Sequence, residues 1–222
     1  MPRHFDAVLF DFGGVFTPSP FGAFESVARE LGVEPGVVLE IVFGPYELDT
    51  DHPWHRLERG ELGLGDARAE IMKLAEARGL RLDPIQVLVR MSGGGKTRDT
   101  LVARTRALRS EGYRTALVTN NAREFGPSWR NLLPLAELFD AVVDSSEVGV
   151  RKPNPAIFEH TLAQIGGVPA RRSIFLDDHP GNIAAAQRLG MQAVLVGDDV
   201  ADALARLESL LSGAGAPRGR VD

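Results

Sequence analysis

The amino-acid sequence predicts an α/β protein: a doubly wound, five-stranded parallel sheet with a helical segment inserted after the first strand. Three observations predict it. Short apolar runs recur along the chain and end in polar or acidic residues, as in AVLFD, ALVTN and IFLDD. Segments of helical period separate these runs over the second half of the chain. Between residues 18 and 91 the strand signal fades and helical spacing takes over.

The first strand is read at 5–10, where Val8, Leu9 and Phe10 run straight into Asp11 and the chain turns on Gly13 and Gly14. An unbroken apolar run bounded by glycines marks a strand buried on both faces. In the insert, Phe21, Phe24, Val27, Ala28 and Leu31 share helical spacing, as do Val37, Val38, Ile41 and Val42, and again Ala67, Glu70, Ile71, Leu74 and Ala75. Breakers at 17–20 and 92–96 suit hinges. The expected division is therefore a core domain over 1–17 and 97–211 and a helical domain over 18–96. The other strands are read at 115–118, 141–143, 173–176 and 193–196, with helices at 97–111, 155–165, 182–189 and 201–211. Asn154 before Pro155 is a strong helix start. Residues 212–222, rich in Gly, Ala and Arg, read as a disordered tail. The run SGGGKT at 92–97 is not a phosphate loop, because Arg90 stands where that motif needs its first glycine.

Composition narrows the function. A chain of 222 residues, 44% hydrophobic, can bury a substantial core. A net charge of −5 gives no support to nucleic-acid binding. The absence of cysteine excludes disulfides and thiolate-held metals. No apolar run approaches the ~20 residues of a membrane span, and the first strand begins too early for a signal peptide. A cytoplasmic protein, monomeric or homodimeric, is expected.

A carboxylate at the tip of a buried parallel strand sits where open α/β sheets bind ligands, so Asp11 is a candidate nucleophile or metal ligand. Three further segments join it: ALVTNN, with Thr119 and Asn120 at a strand end; RKPNP, with Lys152 before a helix start; and IFLDDHPGN, with Asp177 and Asp178 ending a strand. The five histidines are not at metal-ligand spacing, which argues against zinc. Arg151 reads as solvated, Asn182 as structural and His179 as a rim residue without a chemical role. Trp54, His55 and Arg56 are candidates for substrate contact, with Trp54 equally suited to the helical core.

One Asp, one Thr, one Lys and an Asp pair, in this order at strand and helix ends, resemble the haloacid dehalogenase-like (HAD) hydrolase superfamily, whose core is Rossmann-like. The resemblance covers residues 5–211. FDFGGVFTPSP with ALVTNN, RKPNP and FLDD is most similar to HAD-like domains at the N-terminus of some acyl-CoA dehydrogenase-family proteins and soluble epoxide hydrolases. It implies a helical cap over the site and a phosphatase of small phosphorylated metabolites that forms an aspartyl-phosphate on Asp11. It also implies Mg²⁺ held by Asp11, the main-chain carbonyl of Gly13 and Asp178, with Asp177 behind. Thr119, Asn120, Lys152 and the backbone N–H groups around Phe12 and Gly13 would hold the phosphoryl oxygens.

One position departs from that pattern. Most HAD phosphatases carry a second Asp two residues after the nucleophile, as a general acid and base, and here Gly13 stands there. Loss of such a group costs about 10²–10⁴-fold in rate. Three readings follow: a phosphatase that manages without it, a catalytically weak protein that binds a phosphorylated ligand, or a metal-independent 2-haloacid dehalogenase. The paired Asp177 and Asp178 argue against the last, since metal-free chemistry gains little from concentrated negative charge.

Overall fold

The structure is a computed structural model that describes residues 3–19, 22–91 and 97–213. The expected hinge at 92–96, part of the one at 17–20 and most of the expected tail lie outside the described residues.

The sheet contains β1 (Ala7–Phe10), β2 (Arg114–Thr119), β3 (Ala141–Asp144), β4 (Ser173–Asp177) and β5 (Gln192–Leu195), all parallel, in the order β3-β2-β1-β4-β5. Alternating side chains along each strand serve opposite faces. Val8 and Phe10 join Leu117, Ile174 and Leu176 in the apolar cluster on one face. Ala7 and Leu9 join Ala116, Val118 and Phe175 on the other. Helices α6 (Asp99–Ser110), α7 (Gly126–Arg130), α8 (Leu135–Leu138) and α12 (Val200–Leu211) contribute to the first cluster. Helices α10 (Pro155–Gln164) and α11 (Pro180–Arg188) contribute to the second, and the short α9 (Ser145–Val148) follows β3. This covering of both faces explains why the strands read as continuous apolar runs rather than as alternating ones.

Five helices lie between β1 and α6: α1 (Gly22–Leu31), α2 (Pro35–Phe43), α3 (Pro53–Glu58), α4 (Leu64–Ala77) and α5 (Pro84–Met91). They bury a third cluster of their own, including Phe24, Ile41, Phe43, Trp54, Leu57 and Ile71. Helical period located α1, α2 and α4. It missed α3, which is too short to show a period, and α5, although each begins with proline at its first position, a local start signal. Helix α11 starts two residues before its expected bound, because His179 caps it by accepting a hydrogen bond from Gly181 N at 3.2 Å. Histidine is not among the favoured caps, so that start was hidden.

Candidate active site

The chain leaves β1 for β2 and β3 on one side, then crosses to β4 and β5 on the other. The strand order reverses beside β1, and the crevice at the carboxyl ends there is where open α/β sheets bind ligands. Parallel register pairs Phe10 with both Leu117 and Leu176, so the carboxyl ends of the three central strands lie side by side, with β2 running two residues and β4 one residue further. Asp11, which donates its N–H to Leu176 O at 2.8 Å, is thereby set beside Asp177 at the end of β4.

Asp11, Asp177 and Asp178 each place a carboxylate oxygen within 4.8 Å of the others. Lys152 Nζ lies 2.5 Å from Asp11 Oδ1 and 2.8 Å from Asp177 Oδ2, and all three groups are buried. Lys152 is held from its main chain. Asn120 Nδ2 donates to Lys152 O at 2.9 Å, and Lys152 N donates to Asn120 Oδ1 at 2.8 Å. Asp177 is fixed by Asn182 Nδ2 at 3.1 Å from both its oxygens and by His179 N at 2.7 Å. Asp178 accepts a hydrogen bond from Ser19 Oγ at 2.9 Å.

The two loop glycines differ. Gly14 has φ +73°, and a Cβ there would fall 1.9 Å from Asp178 Oδ2, so only glycine lets the loop and the carboxylate coexist. Gly13 lies outside the positive-φ glycines, and among the described residues a Cβ there would meet nothing within 4 Å. A side chain at position 13 would therefore leave the backbone without a collision at its Cβ.

Three carboxylates and one ammonium carry two excess negative charges when fully ionised. Burial, with the charges of Asp177 and Asp178, pushes Asp11 up to about 8 against the pull of Lys152. Burial and the Asp177 charge push Asp178 up to about 6, against the Ser19 hydrogen bond. Burial alone would lower Lys152, but Asp11 and Asp177 outweigh it and hold the ammonium above its ordinary value. An all-oxygen, charge-deficient cluster of this kind fits a hard divalent cation such as Mg²⁺.

The other sequence candidates are distributed as follows. Thr119 is buried at the end of β2 on the same edge, its Oγ1 at 3.5 Å from Asn120 O. Phe12 packs its ring 5.1 Å from Trp129 in the core, which leaves its backbone for any ligand. The Asn120 amide is engaged on Lys152, a scaffolding task beside any donation to a ligand. Asn182 is structural, as read, and acts on Asp177. Trp54 and His55 are buried in the insert rather than presented to a ligand: Trp54 Nε1 donates to Glu58 at 2.9 Å, and His55 Nδ1 lies 2.9 Å from Thr50 Oγ1. Arg56 pairs with Glu61 and Glu70 of the insert.

The expectation of a solvated Arg151 is overturned. Its side chain has 0% exposure and pairs with Glu58 at 2.6 Å. The reason is topological: its loop meets the insert, where a partner 93 residues away in sequence compensates the charge. Ser19, Tyr46 and Glu58 were missed as well. Their partners are remote in sequence, and no local spacing announces them.

A buried carboxylate, a lysine and an acidic pair thus meet at the switch point of a parallel sheet. Residues 5–190 match the family profile of haloacid dehalogenase-like hydrolases, and the chain belongs to that family. It is 31% identical to acyl-CoA dehydrogenase family member 10 of Mus musculus over 94% of its own length, and it spans 19% of that protein. It is 28% identical to a sesquiterpene phosphatase of Aspergillus oryzae, covering 89% of this chain and 92% of that one. Among solved structures, a HAD-like family hydrolase from Porphyromonas gingivalis superposes with TM-score 0.62 at 25% identity, covering 92% of this chain and 98% of that one. A HAD family enzyme of Bacteroides thetaiotaomicron, in complex with magnesium and inorganic phosphate, shares the fold at TM-score 0.59 and 20% identity, covering 89% of this chain and 98% of that one.

Proposed function

We propose that this chain is a Mg²⁺-dependent phosphatase of small phosphate esters that works through an aspartyl-phosphate on Asp11. The observation that carries the reading is the convergence of Asp11, Lys152, Asp177 and Asp178, with two excess negative charges, in one buried crevice. The phosphatases among its relatives support it.

Asp11, the main-chain carbonyl of Gly13 and Asp178 would hold the cation, with Asp177 behind them. The cation, when bound, neutralises charge on the phosphoryl group and lets two anions approach. An Asp11 oxygen attacks phosphorus as the bond to the leaving oxygen breaks, and that oxygen takes its proton from solvent. Water then hydrolyses the acyl phosphate, releasing inorganic phosphate and restoring the carboxylate. Lys152 holds Asp11 in place and presents positive charge to the transferring group. Thr119, and the N–H groups around Phe12 and Gly13, donate to phosphoryl oxygens. The helical insert, over 18–96, serves as the cap. We place the protein in the cytoplasm, as a monomer or homodimer; among the described residues no helix is long and apolar enough to cross a membrane.

Gly13 favours a second reading, a protein that binds a phosphorylated ligand and turns it over poorly. A panel of phosphorylated metabolites, assayed with and without Mg²⁺, separates the two. Mg²⁺-dependent release of phosphate that Asp11→Asn abolishes supports the enzyme. Tight binding without turnover supports the second reading, and activity that survives a chelator removes the metal from the account and revives the dehalogenase.

A further inference from the structure

Lys152 and its neighbour Arg151 are both fully buried, yet they serve different parts of the molecule. Lys152 turns to the carboxylates of the crevice. Arg151 turns to the insert, where its Nε donates to Glu58 Oε2 at 2.6 Å and its Nη1 to Leu48 O at 2.7 Å. Its guanidinium carbon lies 5.3 Å from the centre of the Tyr46 ring. Asn154 of the same loop reaches Asp49 at 3.3 Å. One short segment around Lys152 therefore grips residues 46–49 of the insert.

Three of those residues, Tyr46, Glu47 and Leu48, form part of the wall of a cleft. A cavity of about 460 Å³ is lined by Leu39, Pro45, Tyr46, Glu47 and Leu48 of the insert, among others, and meets the core at His179, the residue after Asp178. The Tyr46 ring packs against His179 at 4.9 Å. Burying an ion pair rarely adds stability over an apolar pair of the same volume, so its value is as a device that specifies one arrangement. His55 does not add to the charge here, because burial and Arg151 push its imidazole down to about 3. The balance rests on Glu58.

We propose that Arg151 is a positioning residue that, with Glu58, fixes the 44–50 loop as the wall against which the leaving group of the substrate packs. Leu39, Pro45, Tyr46 and Leu48 suit an apolar or aromatic leaving group, and the carboxylate of Glu47 on the same rim disfavours an anionic one, Glu40 being paired with Arg78 at 2.8 Å. The inference rests on the phosphatase reading for its substrates.

The test uses the full chain with Arg151→Met and Glu58→Gln combined. Glutamine still accepts the Trp54 N–H, and no unpaired charge is left buried. Two substrates are compared in Mg²⁺: p-nitrophenyl phosphate, whose leaving group reaches a wall, and acetyl phosphate, whose leaving group is small. The expected result is a KM for p-nitrophenyl phosphate raised about 10-fold with kcat changed less than about 2-fold, acetyl phosphate kinetics within about 2-fold, and unchanged thermal stability. Amide exchange at Leu48 and Thr50, whose N–H groups bond to Pro45 O and His55 Nδ1, should quicken about 10-fold or more. Equal losses on both substrates, or unchanged exchange at those amides, would overturn the proposal. Should wild type turn over neither substrate, the phosphatase reading fails, and the exchange measurement alone decides on the loop.

Discussion

Arg151 and Lys152 are adjacent in sequence and equally buried, but the clusters they enter differ in charge balance. Around Arg151 one guanidinium meets one carboxylate at 2.6 Å, and the account closes within the protein. Around Lys152 one ammonium faces three carboxylates, and it does not close. A buried pair that balances holds two parts of a fold together. A buried cluster that fails to balance is strained until something positive arrives, and that strain marks the site of chemistry.

The largest expected effect falls on Asp11. Asp11→Asn should lower turnover by at least about 10³-fold, because the amide is nearly isosteric but a poor nucleophile. The same change removes one of the excess charges, so without metal the variant should melt at or above the wild-type temperature at pH 8. Calorimetry and a phosphate-release assay read the two halves. A variant that keeps a tenth of the wild-type rate would end the nucleophile assignment.

Next comes the response of stability to pH. Asp178 and Asp11, raised to about 6 and about 8, bind protons more tightly in the folded state than in the unfolded one. Their contribution is fully present below the unfolded value near 4 and is lost as pH rises through those folded values. The lowered His52, His55 and His179 work the other way up to about pH 6.5, so the loss should show in the metal-free protein as pH rises from about 7 through 8, where Asp11 titrates. Mg²⁺ at 100 times its pH 8 Kd should restore about 2.7 kcal/mol at pH 8, and the same concentration should restore less at pH 5. A Mg²⁺ effect that is absent, or that shrinks with pH, would mean the cluster needs no cation.

The two members of the acidic pair should separate. Asp178→Ala should weaken Mg²⁺ binding in calorimetry while the fold holds. Asp177→Ala should instead cost about 3–5 kcal/mol of stability, since it abandons Lys152, Asn182 and His179 N together. Identical behaviour of the two variants would contradict the division of labour.

The smallest change concerns the glycines. Gly14→Ala should cost stability and Mg²⁺ affinity, because its Cβ collides with Asp178, whereas Gly13→Ala should be nearly silent. Wild-type rates across phosphate esters of graded leaving-group pKa should fall steeply as that pKa rises. Gly13→Asp, whose Cβ meets no described atom within 4 Å, should flatten the series. A flat wild-type series, with chemistry shown to be rate-limiting, would mean that another residue supplies the proton.

What could be read from the sequence follows the same division. Asp11, Thr119, Lys152, Asp177 and Asp178 were legible because each stands beside a local signal, an apolar strand or a Pro-started helix. The parallel sheet was legible because burial on both faces imposes unbroken apolar runs. Glu58 and Arg151 were not, because their pairing spans 93 residues and each alone resembles a surface charge. Ser19 on Asp178 was hidden by the same distance, being 159 residues away in sequence. The sequence shows a turn on Gly13 and Gly14 without saying which of the two needs a left-handed backbone. That conformation belongs to Gly14, a distinction that depends on where the turn places Asp178.

The central claim is that Asp11 becomes phosphorylated. Wild type mixed with acetyl phosphate and Mg²⁺, quenched in acid within the first turnovers and analysed by intact and peptide mass spectrometry, tests it directly. The account predicts one added phosphoryl group, on the peptide carrying Asp11, absent in Asp11→Asn and absent without Mg²⁺. Rapid Mg²⁺-dependent turnover with no adduct, or an adduct on any other residue, would contradict it.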